Sequence, residues 1–88
     1  MEMIQVMLVD DHELVRQGVA GYLQTYEDIS VVAQAENGEV AVQLAREHVP
    51  DVVLMDLVMP GMDGVETTRK LRQVSPHSQV IVLTSYFK

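Results

Sequence analysis

Cysteine is absent from this sequence, which excludes a disulfide framework and a thiolate zinc site. Bases are scarce as well: six Lys and Arg stand against 13 Asp and Glu, a formal charge of −7. A surface that grips phosphate backbones needs the opposite sign, so no nucleic-acid binding is expected of this segment. No apolar run approaches the roughly 18–20 residues of a membrane-spanning helix. The first residues turn polar at Glu2, Gln5 and Asp10, unlike a secretory signal. The glycine patterns GxGxxG and GxxxxGK[ST] are missing, which argues against dinucleotide and P-loop chemistry. What remains is 88 residues, 48% hydrophobic and 22% charged, the profile of one small globular domain with a modest core. A reducing compartment, the cytoplasm, suits the missing thiols.

The apolar residues are organised by period. "IQVMLV" (4–9) reads as a strand, and Leu14, Val15, Gly18, Val19, Tyr22 and Leu23 recur as one face of a helix. "ISVVAQA" (29–35) reads as a second strand. Asn37 is placed to cap a helix whose stripe is Val40, Ala41, Leu44 and Ala45, ending before Pro50. "DVVLMD" (51–56) is nearly all apolar, as a strand covered on both faces should be. Asp63 and Glu66 resemble a capping box ahead of Val65, Thr68 and Leu71, and Glu66 and Lys70 form an i, i+4 pair. Ser75-Pro76 ends that helix, and "QVIVLTSYF" (79–87) reads as a fourth strand. The order βαβαβαβ predicts a parallel sheet with right-handed crossovers and helices on both faces.

Two apolar strands end in acids: the first in Asp10-Asp11, the third in Asp56. In open α/β sheets ligands bind outside the carboxyl ends of the strands, so these acids should converge with Thr84 at one rim. Singly, an aspartate after a strand serves equally well in a turn or a helix cap. Together, carboxylates within a few ångströms repel unless one holds a proton or a cation sits among them. Oxygen donors without thiolate favour a hard divalent ion, with Mg²⁺ the leading candidate. A carboxylate beside such an ion is also a nucleophile toward phosphorus. His12, next to the acidic pair, is expected to be an exposed first-turn helix residue rather than a ligand. Arg69, Lys70 and Arg72 are expected on a solvated face, and Met55, Met59 and Met62 as gap-fillers.

Carried by Asp10-Asp11, by Asp56 in "LMDLVMPGMDG" and by "VIVLTS" ending in Thr84-Ser85, the sequence resembles the receiver domains of bacterial two-component response regulators. "VDDHELVRQG" and "VIVLTSYF" are most similar to the NarL/FixJ-type branch. The resemblance implies a flavodoxin-like (CheY-like) doubly wound parallel sheet in the order 2-1-3-4. It implies that Asp56 is the phosphoacceptor for a sensor histidine kinase. Asp10 (mainly through a water), Asp11, Asp56 and the Val58 backbone carbonyl would hold Mg²⁺. Thr84 would hydrogen-bond the phosphoryl group, and Tyr86 would be the switch aromatic. Such a protein is a phosphorelay component rather than an enzyme, and its full-length form regulates transcription by binding DNA.

One departure stands out. The family's pattern includes a fifth strand ending in a lysine, whereas these 88 residues stop at Lys88, where the loop after the fourth strand would begin. The domain over 1–88 is therefore expected to lack the fifth strand and last two helices. Its apolar fourth strand, left as an edge, is expected to drive a homodimer or domain-swapped oligomer. Two rivals are a phosphorylation-independent docking module and a magnesium-dependent phosphatase. The haloacid-dehalogenase-type signature would need an aspartate where Val58 stands.

Overall fold

The computed structural model describes residues 2–56 and 63–83. Strand β1 (Ile4–Val9) leads to helix α1 (Glu13–Leu23), then β2 (Ile29–Ala35), α2 (Gly38–His48), β3 (Val52–Asp56), α3 (Gly64–Val74) and β4 (Gln79–Leu83). The strands form one parallel sheet in the order β2-β1-β3-β4, as expected. Of the fourth strand expected over 79–87, the described part is Gln79–Leu83.

Strand alternation splits the interior in two. Met7 and Val9 of β1 and Val53 and Met55 of β3 point to one face, where they meet Ala41 and Ala45 of α2 and Leu71 of α3. All seven are essentially inaccessible to water. Their neighbours Val6, Leu8, Val52 and Leu54 point to the other face and meet Ala20, Val19 and Leu23 of α1. That second layer is thinner: Val52 and Leu54 are only half-buried. The third strand is thus sealed on one face and partly open on the other.

Helix α1 corrects the expected apolar face. Leu14, Val15 and Tyr22 are exposed, Leu14 by 85%. The inward stripe is Arg16, Val19, Ala20 and Leu23, spaced i, i+3, i+4, i+7. Arg16 belongs to it because its apolar stem can lie against the sheet while its head finds polar partners. Val65 is likewise exposed on α3, whose buried positions are Gly64, Thr67 and Leu71.

Side chains close the helix starts. Asn37 accepts a hydrogen bond from the Val40 amide at 2.9 Å. Asp63 accepts from the Val65 and Glu66 amides at 3.0 and 3.1 Å, satisfying two donors that the helix leaves open. The expected reciprocal half of the capping box is replaced. The Glu66 carboxylate pairs directly with the Arg69 guanidinium one turn on, and Lys70 adds a weaker attraction. Hydrogen bonds from Arg69 hold the Glu66 carboxyl below its usual range. That contribution is present at neutral pH and is lost as pH falls through the lowered value.

At the end of α2, Val49 takes φ 45° and ψ 63°, the left-handed region. A β-branched residue is strained there. The Val49 amide still donates to the Ala45 carbonyl at 2.8 Å, and the left-handed conformation then turns the chain into buried Pro50. Val49→Gly is expected to be neutral or stabilising by up to about 1 kcal/mol, relief of strain outweighing the added freedom of the unfolded chain. Val42→Gly, inside the same helix, should destabilise. Leu71→Ala should lower unfolding free energy by about 2–5 kcal/mol, since it opens a cavity in the sealed layer. Urea unfolding monitored by circular dichroism checks all three.

Candidate phosphoacceptor and metal site

The site is a consequence of register. Val9 of β1 lies opposite Met55 of β3, so the residues that follow, Asp10 and Asp56, leave the sheet side by side. Both continue the row of Leu8 and Leu54, because alternate residues share a face. The Asp10 amide still donates to the Ala35 carbonyl of β2 at 3.0 Å, so the turn toward α1 begins only after Asp10. Ligand atoms of Asp10, Asp11, His12 and Asp56 all lie within 4.8 Å of one another. Asp10 and Asp56 are half-buried, whereas Asp11 and His12 are exposed.

The turn itself is held from within. Asp10 Oδ1 accepts from the His12 amide at 2.8 Å. The His12 imidazole Nδ1 stands 2.9 Å from Asp11 Oδ1 and 3.3 Å from Asp10 Oδ1. Three carboxylates so close, two of them withdrawn from water, repel one another and call for a cation. Oxygen donors with several open positions suit a hard divalent ion that keeps part of its water shell. On donor chemistry, these residues fit Mg²⁺.

Arg16 is the positioning group that sequence reasoning missed. Its Nη1 donates to the Asp10 backbone carbonyl at 2.6 Å, and its Nε donates to Gln34 Oε1 on β2 at 3.2 Å. The guanidinium thus ties α1 to the ends of β1 and β2 and fixes the acidic turn. The available signal was an arginine on the stripe that also carries Val19 and Leu23. Read by apolar residues alone, the face runs over Leu14, Val15, Gly18, Val19, Tyr22 and Leu23 and leaves Arg16 out.

Asp10, His12, Arg16 and Asp56 also line a cleft of ≈ 590 Å³ on the α1 side, continued by apolar Leu8, Val15, Val19, Leu54 and Leu83. Asp51, the acid at the opposite end of the third strand, has a different task. Its carboxylate accepts from the Gln5 amide at 2.8 Å, and its carbonyl accepts from the Gln79 amide at 2.9 Å, joining β1 and β4 to the start of β3. Val58, Thr84 and Tyr86, expected at the site, lie outside the described residues.

Comparison with known proteins agrees with this geometry. Residues 6–88 match the response regulator receiver domain family. The chain is 50% identical over 84 residues to the transcriptional regulatory protein LiaR of Bacillus subtilis, covering 96% of this chain and 40% of LiaR. It is 52% identical over 82 residues to the response regulator GacA of Pseudomonas aeruginosa, covering 93% of this chain and 38% of GacA. The chain therefore spans about two fifths of the length of these curated relatives. Among solved structures, the signal receiver domain of the putative response regulator NarL from Mycobacterium tuberculosis superposes with a TM-score of 0.87 at 34% identity. That match covers 100% of this chain and 71% of the NarL chain. Strand order, the acids gathered at one rim and the match over nearly the whole length lead to one conclusion: the chain belongs to the response regulator receiver domain family.

Proposed function

We propose that this chain, over residues 1–88, is the phosphoacceptor part of a two-component response regulator. Asp56 receives a phosphoryl group from a sensor histidine kinase, and the modification switches a DNA-binding transcription regulator. The observation that carries this reading is the placement of Asp56 at the end of β3 with Asp10 and Asp11 within ligand distance. Family membership supports it.

In the transfer, an Asp56 carboxylate oxygen attacks phosphorus, and the bond from phosphorus to the donor histidine nitrogen breaks. The imidazole leaves with the electron pair and takes up a proton. Asp10, Asp11, Asp56 and the Val58 backbone carbonyl would hold Mg²⁺, Asp10 mainly through water. When bound, the ion offsets charge on the phosphoryl oxygens. Arg16 keeps the acidic turn in register, so Asp10 and Asp11 need not reorganise. The product adds about −1.5 to −2 charges at one rim. Thr84 would donate to the new group and Tyr86 would turn inward, roles that rest on the sequence pattern. One phosphoryl group per chain makes this a signalling step rather than enzymatic turnover.

A net charge of −7 supports a protein partner rather than nucleic acid for this segment. Among the described residues no helix is long and apolar enough to cross a membrane. Work alongside a kinase domain and a DNA-binding output places the protein in the cytoplasm.

Intact mass after incubation with acetyl phosphate should show a gain of one phosphoryl group that requires Mg²⁺ and is lost in Asp56→Asn. A folded sample without adduct would favour the docking-module alternative, and release of many equivalents of phosphate would favour a phosphatase.

A further inference from the structure

We propose that the Asn37-Gly38 peptide, at the junction of β2 and α2, is a site of covalent self-modification. Asn37 loses its side-chain amide as ammonia, at a rate set by how often the first turn of α2 opens.

Asn37 is the sole asparagine of the chain, and glycine follows it. Cyclisation brings the backbone nitrogen of the next residue onto the asparagine Cγ, an approach that a following Cβ obstructs. Gly38 has no Cβ and the widest backbone freedom of any residue. It is also the first residue of α2, and amides of the first turn have no intrahelical acceptor. Its nitrogen is therefore spared the bond that ties up amides deeper in the helix. Asn37 is exposed, so water reaches the ring that forms there and ammonia departs freely.

The folded chain restrains the reaction in two ways. The Asn37 Oδ1 accepts from the Val40 amide at 2.9 Å, which holds the side chain as a helix cap. The Asn37 backbone is extended, with ψ 175°, and Gly38 is buried. Closing a five-membered ring rotates that bond out of the extended region, so the first turn must open first.

In the open turn the Gly38 nitrogen attacks Cγ. The N–Cγ bond forms, the Cγ–Nδ2 bond breaks, and ammonia leaves with the proton that Gly38 gives up. The cyclic imide then takes up one water at either carbonyl. One opening gives aspartate; the other gives isoaspartate, whose main chain is one methylene longer. Aspartate keeps the cap acceptor and places a negative charge where the helix dipole favours it. Isoaspartate moves the acceptor out of register and leaves the Val40 amide open. Asp63-Gly64 repeats the arrangement at the start of α3, but its carboxylate is a poor electrophile and its Oδ1 accepts from two amides. The reactive member of the pair is Asn37.

The test ages the 88-residue chain and Gly38→Ala at mildly alkaline pH, each in buffer and in guanidinium chloride. Peptide mass spectrometry reads residue 37, and isoaspartyl methyltransferase labelling separates the two products. Asn37 of the folded chain should convert to both acids, about tenfold or more slowly than in guanidinium chloride. Gly38→Ala should slow conversion in guanidinium chloride about tenfold, a readout that does not require the variant to fold. Equal rates in the two forms of the unfolded chain overturn the role of Gly38. Folded and unfolded rates that coincide overturn the restraint by α2. A folded chain that keeps Asn37 intact after ageing about a hundred times longer than the unfolded chain needs overturns the site itself.

Discussion

Parallel pairing of β1 with β3 is the constraint on which the site depends. Once Val9 stands opposite Met55, Asp10 and Asp56 must emerge at the same rim, on the same face and next to each other. No side-chain preference is needed for this, only backbone hydrogen bonding and the two-residue repeat of a strand. The cost is electrostatic, because like charges are brought into partial burial. The molecule accepts that cost at a rim where water and cations still have access, and not one residue deeper.

Around this constraint the two faces of the sheet divide the labour. The face toward α2 and α3 is dry and close-packed, built from Met7, Val9, Val53, Met55, Ala41, Ala45 and Leu71. It fixes the ends of β1 and β3 in space. The face toward α1 is shallow, and the cleft opens there beside the acids. The acids at the rim thus stand between a close-packed layer on one side and an open surface on the other.

Arg16 and His12 belong to neither layer, and both act on the turn between β1 and α1. Arg16 grips the Asp10 carbonyl and the Gln34 amide oxygen, so its contribution is alignment. His12 makes the opposite choice, neglecting the helix end for the carboxylates. A turn that carries function is held here by polar contacts rather than by burial, as suits a segment at the surface that must keep one shape.

The elements were legible in the sequence because each is a local matter. Apolar runs of five to seven residues marked β1, β2 and β3 nearly to the residue, and Asn37 and Asp63 marked helix starts by capping chemistry. The convergence of Asp10, Asp11 and Asp56 followed from the alternation of strands and helices, which leaves only one handedness of crossover. Other features depended on contacts between distant residues. Which side of α1 turns inward was decided by the sheet beneath it, so Leu14 and Val15 lie outside while Arg16 is half-buried. Glu66 had two basic neighbours within reach, and side-chain geometry chose Arg69. Val49 enters a left-handed conformation that its β-branched side chain disfavours, because the chain must turn into buried Pro50. The sequence by itself determined the order of elements, the strand ends that carry acids and the sign of the surface, since those depend on neighbours along the chain. Only the tertiary structure decided which face of each helix is buried, what holds the acidic turn and where His12 points, since those depend on neighbours across space.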